Sequence, residues 1–160
     1  MPSQSKQLAD QFSRANDELI AVVDRCSDAQ WRSVCPAEGW TVGVTAHHVA
    51  DDYAALMEVI EALAAGRSVP AWTRELLDQR NAAHAERFAR CTKHDTLTLL
   101  RRNGSALAHI ICGLSDEQLT RTARVPDQEV SIADIAGRLL PGHIRGHLAS
   151  IRTQLEEIAR

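Results

Sequence analysis

Apolar residues recur at helical spacing in five stretches of the chain. Four of them cover roughly residues 4–27, 42–65, 72–91 and 95–114, and the fifth runs from just after Ser131 almost to the C-terminus. Apolar positions three and four residues apart form one face of an α-helix, whereas a half-buried strand alternates with a period of two, which no stretch here does strongly. The pattern therefore predicts an all-α fold, a bundle of four main helices with one additional helix.

Several residues are typical of helix ends. Thr41 precedes the second stretch as a candidate N-cap, because its side-chain oxygen can accept a hydrogen bond from a free backbone N–H of the first turn. Ser115 and Gln118 form a capping-box pattern that predicts one further short helical turn. Pro141 lies inside the last stretch, and because proline has no N–H it predicts a kink or an unpaired carbonyl near residue 137.

Length and charge narrow the class of protein. The chain has 160 residues, 44% of them hydrophobic, which is enough for a full core, and we expect a single domain over residues 1–160. The net charge of −3, with basic residues scattered among acids, argues against nucleic acid as a partner. No apolar run approaches the ~18 residues of a membrane span, which argues against a membrane partner.

Cysteine usage bears on the cellular compartment. The four cysteines contain no CxxC pair, and the N-terminus lacks the apolar core and cleavage pattern of a signal peptide. We therefore expect reduced thiols and a cytoplasmic protein.

Two histidines four residues apart, His143 and His147, lie on the apolar face of the last helix together with Ile135, Leu139 and Ile151. A buried imidazole without partners costs about 1–3 kcal/mol. One metal ion would satisfy both rings, since the i, i+4 spacing lets a single helix offer two imidazoles to one ion. Hydrogen bonds to neighbouring helices, or a position at the end of the bundle, would also satisfy them, so the spacing alone leaves both interpretations open.

The second helix contains two adjacent histidines, which cannot both face inward. His48 lies roughly 80° from the centre of the apolar stripe and His47 nearly opposite it. We therefore expect His48 to be the ligand candidate and His47 to be solvated. Asp52, one turn beyond His48, lies near the stripe, where it could accept a hydrogen bond from a ligand imidazole or be an ordinary polar residue at the bundle mouth.

The remaining polar candidates lie on the third and fourth helices. Asn81 and His84 share a face with Leu77, so we expect them to line one cavity, His84 as a core or pocket residue rather than as a ligand. His94 and His109 fall at a helix start and on a polar face, and we expect both at the surface.

Three segments resemble the DinB-like (YfiT-type) superfamily of metal-binding four-helix bundles. "GWTVGVTAHHVADDY" is similar to the second-helix signature of that superfamily, in which a Trp followed by Ser or Thr precedes a ligand His by eight residues, as Trp40 precedes His48. "HIRGHLASIR" resembles the HxxxH of the last helix. "DQRNAAHAERF" resembles the third helix of the branch that includes the N-terminal domain of mycothiol-dependent maleylpyruvate isomerases.

The resemblance implies an up-up-down-down four-helix bundle that holds one divalent cation, usually zinc or nickel, through three side chains. Resemblance and helical phase both select His48, His143 and His147 as the metal ligands. The isomerase branch has Glu at the first position of the last-helix motif, where this chain has His143, and it carries an extra C-terminal domain that we do not expect in this protein. These departures do not favour maleylpyruvate itself as the substrate.

Two functional hypotheses from different classes follow from the resemblance. The first is a metal-dependent enzyme, either a transferase or isomerase that uses a low-molecular-weight thiol of the mycothiol or bacillithiol type, or a hydrolase. Asp52, Asn81 and His84 are its candidate catalytic residues. The second is a non-catalytic metal-binding bundle, stress-related or acting as a dimeric interaction module, and we expect a homodimer. A third possibility, a metal-free structural bundle, predicts that replacing His143 or His147 by Leu would stabilise the fold.

Overall fold

The computed structural model describes residues 1–160 and contains eight α-helices, one π-helical turn and two short β-hairpins. The elements in chain order are α1 (Gln4–Asp24), α2 (Asp28–Arg32), β1 (Val34–Cys35), β2 (Trp40–Thr41), α3 (Val42–Ala64), α4 (Arg74–Arg87), α5 (Lys93–Cys112), α6 (Asp116–Leu119), β3 (Thr122–Val125), β4 (Gln128–Ser131), α7 (Ile132–Asp134), the π turn (Ile135–Leu139) and α8 (Leu140–Ile158).

Four long helices form the bundle: α1, α3, α5 and α8. Helix α1 packs against α5 and α8, and α3 packs against the same two helices, so α1 and α3 lie diagonally opposite each other. The predicted all-α fold is therefore confirmed, and the additional helix of that prediction is α4, which packs on the outside of α3. Fully buried apolar side chains from all four helices fill the centre, among them Phe12, Leu19, Ile60, Leu100, Leu107, Ile144 and Ile151. No helix combines the length and the apolarity that crossing a membrane requires.

The predicted helix-end signals are found as expected. The Thr41 side chain accepts a hydrogen bond from the backbone N–H of Val44 and begins α3. Ser115 and Gln118 form both hydrogen bonds of a capping box at the start of α6. These local patterns are read correctly from sequence because each involves only residues within one helical turn.

The segment between α1 and α3 contains structure that periodicity does not predict. It folds into the short helix α2 and the hairpin β1–β2, in which each strand has only two residues. The indole of Trp31 in α2 lies directly on Gly43, where a Cβ atom would approach it to 2.5 Å. Residues 42–50 at the start of α3 are all buried.

The last helix changes its winding just before the two predicted ligand histidines. The π turn precedes Pro141, which stands in the first turn of α8. In a regular α-helix the carbonyl of Gly137 would pair with the nitrogen of residue 141, which in proline carries no hydrogen. That carbonyl instead accepts a hydrogen bond from Nε2 of Gln11 in α1, at 3.1 Å. The disturbance predicted near residue 137 is thus present as a π turn with an external hydrogen bond.

Candidate metal centre

Three histidines meet between α3 and α8 at one end of the bundle. His48 comes from α3, and His143 and His147 come from successive turns of α8. One ring nitrogen from each lies within 4.8 Å of the other two, so the three residues could hold a metal ion. We call His48, His143 and His147 the three-His group.

Trp40 covers one side of this group. Its ring centroid lies 5.2 Å from that of His48, edge to face, and 6.5 Å from that of His147, in a stacked arrangement. Trp40 belongs to β2, directly before the N-cap of α3, and the hairpin therefore places the indole beside the helix that carries His48. The large apolar ring restricts access of water to two of the three imidazoles.

Asp52 lies against the same imidazoles, which agrees with the first of the two interpretations that its position one turn beyond His48 left open. Its Oδ2 atom is 3.2 Å from Nε2 of His48 and 3.0 Å from Nε2 of His143, and its Oδ1 atom is 3.2 Å from Nη2 of Arg80 on α4. Burial by itself raises the pKa of this carboxyl, but the neighbouring His143, His48 and Arg80 outweigh it and hold the pKa below its usual range. The carboxylate is therefore ionised at neutral pH.

Glu38 is a site residue that the sequence does not reveal. Its Oε1 atom accepts a hydrogen bond from Nδ1 of His147 at 2.9 Å, and its Oε2 atom accepts one from Oγ of Ser150. Since a carboxylate only accepts hydrogen bonds, Nδ1 of His147 carries the proton and Nε2 keeps a free lone pair. A carboxylate that fixes the tautomer in this way is typical of histidines that bind metals.

The ring pKa values in the group favour neutral imidazoles. Burial lowers the pKa of His48 to about 3, and burial followed by the charge of His143 lowers that of His147. A neutral imidazole has a lone pair to donate, which a protonated ring lacks. At neutral pH these two rings are therefore in the state in which they could bind a cation.

The residues present fit a divalent metal ion. Nε2 of His143 is buried and lies 3.0 Å from Oδ2 of Asp52, but the two atoms do not form a hydrogen bond of regular geometry. An unpaired buried nitrogen is costly unless it has a ligand. Three imidazoles with a carboxylate beside them also form a donor set that suits zinc, nickel and other divalent transition metals.

The prediction for His47 is wrong. His47 is buried, its Nδ1 atom lies 2.9 Å from Nε2 of His84, and its ring stacks on Phe88 with centroids 4.0 Å apart. Helical phase assumed that α3 has one solvent-exposed face, but its first turns are covered on all sides and α4 packs over His47. Burial therefore lowers the pKa of both His47 and His84.

His84 is a buried residue, as expected, but it does not lie on the cavity beside Asn81. Its Nε2 atom is engaged with His47, and its ring centroid lies 5.5 Å from that of His48. His94 and His109 are exposed, as predicted.

A cavity of about 420 Å³ opens beside the three-His group. His48, His143 and Asp52 line it, together with Arg80 and Asn81 of α4. The rest of its wall is mainly apolar and comes from α3, the loop before α4, the hairpin β3–β4 and the last helix. The backbone N–H of Trp72 donates to the carbonyl of Arg124 at 3.0 Å, which ties that loop to the hairpin.

The fold and this site define a class of protein, DinB-like four-helix bundles with a three-His group that could bind a divalent metal ion. The sequence profile of the mycothiol maleylpyruvate isomerase N-terminal domain matches residues 12–140, most of the chain, and the chain therefore belongs to that family. The matched range includes His48, Asp52 and Asn81 but ends before His143.

A solved structure supports the same fold. YfiT from Bacillus subtilis, described as a probable metal-dependent hydrolase with an unusual four-helix bundle topology, aligns with a TM-score of 0.80. The two chains are 17% identical, and the alignment covers 97% of this chain and 87% of YfiT. At that identity the match bears on the fold alone. No curated protein sequence matches the chain significantly.

Proposed function

We propose that this protein binds one divalent metal ion, zinc or nickel, through the three-His group and uses it to transfer a low-molecular-weight thiol to an electrophile or to isomerise a substrate with the help of such a thiol. The observation that carries the proposal is the buried Nε2 atom of His143, which has no hydrogen-bond partner and belongs to a group whose ring nitrogens lie within 4.8 Å of one another. His143 and His48 of this group line the cavity. When bound, a divalent ion held by three neutral ligands keeps its full charge and strongly acidifies a thiol or a water molecule.

Asp52 is the proposed proton acceptor. Its low pKa keeps it ionised, it lines the cavity, and it lies within hydrogen-bond reach of two of the three imidazoles. Arg80 holds the other carboxylate oxygen and so fixes the orientation of the acceptor. A positioned general base of this kind contributes about 10²–10⁴-fold to a rate.

Two further residues have supporting roles in the proposal. Asn81 lines the cavity from α4 and can orient a polar group of the substrate through its amide. His84 acts from outside the cavity, because its contact with His47 and its packing near His48 hold the start of α3 in place. The thiol is proposed to be of the mycothiol or bacillithiol type, which is supported by membership of the mycothiol maleylpyruvate isomerase N-terminal domain family.

The position of Asp52 also favours a second candidate function. Since Oδ2 of Asp52 lies 3.0–3.2 Å from two ring nitrogens, this carboxylate could complete the metal shell. Structural metal sites are closed by protein ligands, whereas catalytic sites keep one position open. The second candidate is therefore a non-catalytic metal-binding bundle.

Metal content is the first test. The purified chain should contain one equivalent of zinc or nickel by elemental analysis, and His48→Ala should lose it because two imidazoles of α8 then remain alone. His109→Ala is the matched control, since His109 is exposed and does not belong to the group, and it should keep the metal. Equal metal content in both variants would refute the three-His site.

Activity is the second test. Metal-loaded protein should consume mycothiol or bacillithiol in the presence of an electrophile such as 1-chloro-2,4-dinitrobenzene, and Asp52→Asn should slow this reaction about a hundredfold or more. Ester hydrolysis without thiol would instead indicate a hydrolase. Metal-loaded protein that is inactive with every thiol and ester would support the non-catalytic candidate.

A further inference from the structure

The cavity beside the three-His group has a shape and a lining that restrict what it can bind. Its volume of about 420 Å³ is at the small end of the range for small-molecule sites, which is about 300–1,000 Å³. It therefore fits a compact molecule.

The greater part of the wall is apolar. Side chains from several elements contribute to it, among them Leu56 of α3, Trp72 before α4, Leu77 of α4, Val125 of β3 and Leu139 of the π turn. Such a wall binds a hydrocarbon body by removing it from water. The lining thus favours a ligand with an apolar body.

Two polar side chains of the lining, Arg80 and Asn81, stand next to each other on α4 and can donate hydrogen bonds. The Nη2 atom of Arg80 lies 3.2 Å from Asp52 and 4.0 Å from Asp51. The other N–H groups of this guanidinium are therefore available to a ligand. Asn81, the next residue on α4, also lines the cavity, and its side-chain amide bonds to no other side chain. A guanidinium and an amide side by side are suited to an acidic group.

The charge of the lining agrees with this assignment. Asp52 is its single carboxylate, and two arginines, Arg80 and Arg124, also belong to it. Because Asp52 is already paired with Arg80, a cationic ligand would find no free anion. The polar head of the ligand is therefore a negatively charged group that accepts hydrogen bonds.

We propose that this cavity binds an organic acid with one acidic group and an apolar body, the acidic group held by Arg80 and Asn81 and the body packed against Trp72 and Leu77. That this acid is the electrophilic substrate rests on the proposed function, whereas its binding does not. A strongly polar diacid and an uncharged analogue should both bind more weakly. The diacid lacks the apolar body, and the uncharged analogue lacks the acidic group.

Three probes separate the two parts of the ligand. Trans-cinnamate has the apolar body and the acid, cinnamyl alcohol has the body alone, and fumarate has acid without the body. Calorimetric titration of metal-loaded chain should give cinnamate the lowest Kd, about tenfold or more below the other two, since a charge-assisted hydrogen bond and a buried ring each account for at least that factor.

Two pairs of variants locate the contacts. Leu77→Ala should raise the cinnamate Kd about five- to tenfold, while Leu76→Ala, an exposed neighbour on the same helix, should leave it unchanged. Arg80→Gln should raise it about tenfold or more, while Arg87→Gln, exposed and outside the lining, should not. Equal affinities for cinnamate and cinnamyl alcohol, or for cinnamate and fumarate, would overturn the proposal.

The same titrations separate this inference from the proposed function. Cinnamate should keep its preference in chelator-treated protein, because Arg80 and Leu77 are unchanged there. Selective binding in a protein without metal or thiol activity would refute the proposed function and leave the inference standing. Binding that disappears on chelation but is unaffected by Leu77→Ala and Arg80→Gln would place the acid on the metal and overturn the inference.

Discussion

At the scale of single residues, the contact between Glu38 and His147 determines how one imidazole of the three-His group is presented. The hydrogen bond from Nδ1 leaves Nε2 free for an ion, and the second carboxylate oxygen is held by Ser150 of the same helix. Glu38 is therefore a positioning residue for the proposed metal ligand. It lies in the turn of the β1–β2 hairpin, which also carries Trp40 beside the group.

Replacement of Glu38 should weaken metal binding while the fold is kept. Removing the carboxylate partner of a ligand imidazole costs about 10–100-fold in metal affinity, and we expect Glu38→Ala to fall in that range. Glu38→Gln keeps an acceptor oxygen but no charge, so it should lie between Ala and the natural residue. Competition titration of zinc against a fluorescent chelator measures these affinities.

The matched control is Glu156→Ala, which removes an exposed carboxylate from α8 without touching the group. It should bind zinc like the unaltered chain. Unchanged zinc affinity in Glu38→Ala would contradict the positioning role, and an equal loss of urea stability and affinity in both Glu38 variants would indicate a general structural role.

Residue-scale prediction from sequence succeeds where one helix has one clear apolar face. Helical phase selects His48, His143 and His147, and the structure brings these three together. The same reasoning fails for His47, because burial there comes from α4 and not from the helix's own period. Helical phase does not identify Glu38 at all, because its partner His147 is more than a hundred positions away in the chain.

At the scale of elements, the last helix combines a π turn, a proline and two proposed ligands within three turns. Gly137 is part of the π turn, and a Cβ atom there would approach Leu8 of α1 to 2.7 Å. The absence of a side chain therefore lets α1 approach closely enough for Gln11 to reach the Gly137 carbonyl. This contact fixes the position of the helix just before His143.

Gln11 and Pro141 should be energetically coupled through that carbonyl. Gln11→Ala should lower the free energy of unfolding by about 1 kcal/mol, the usual value of a lost hydrogen bond to a partly buried acceptor. In a Pro141→Ala background the backbone N–H of residue 141 can donate to the Gly137 carbonyl. The loss in the free energy of unfolding caused by Gln11→Ala should then be at least about 0.5 kcal/mol smaller. Urea unfolding of the four proteins measures this cycle, and additive effects would contradict the coupling.

The elements themselves are predictable to different degrees. Long helices with a regular apolar period, such as α1, α3 and α5, begin close to their predicted starts. The two hairpins have strands of two and four residues, too short for an alternation to stand out from the surrounding sequence. The hairpins nevertheless matter to the site, because one supplies Glu38 and Trp40 and the other forms a wall of the cavity.

At the scale of the whole molecule, one end of the bundle contains an unusual density of buried imidazoles. His47, His48, His84 and His147 all have pKa values below 6.5, in each case chiefly because burial disfavours the charged ring. Histidines of the unfolded chain titrate near 6.5, so between the folded and unfolded pKa values the unfolded state binds more protons. The contribution of these neutral rings to the free energy of unfolding is therefore fully present above about pH 6.5 and decreases as the pH falls below that value.

Metal-free protein should consequently lose stability between about pH 7.5 and pH 5. Because the pKa of His48 falls to about 3 in the folded state, its ring alone should lower the free energy of unfolding by about 2 kcal/mol at pH 5. The depressed pKa of Asp52 does not compensate, since that carboxylate stays ionised over this range. Urea unfolding of chelator-treated protein at pH 7.5 and pH 5 measures the loss in the free energy of unfolding.

His48→Leu should reduce this pH-dependent loss by about 2 kcal/mol, whereas replacement of the exposed His109 in His109→Leu should leave the loss unchanged. If His48→Leu retains the full pH dependence, His48 is not held neutral by the fold, and the cost of burying it cannot be a reason for the site to bind a metal.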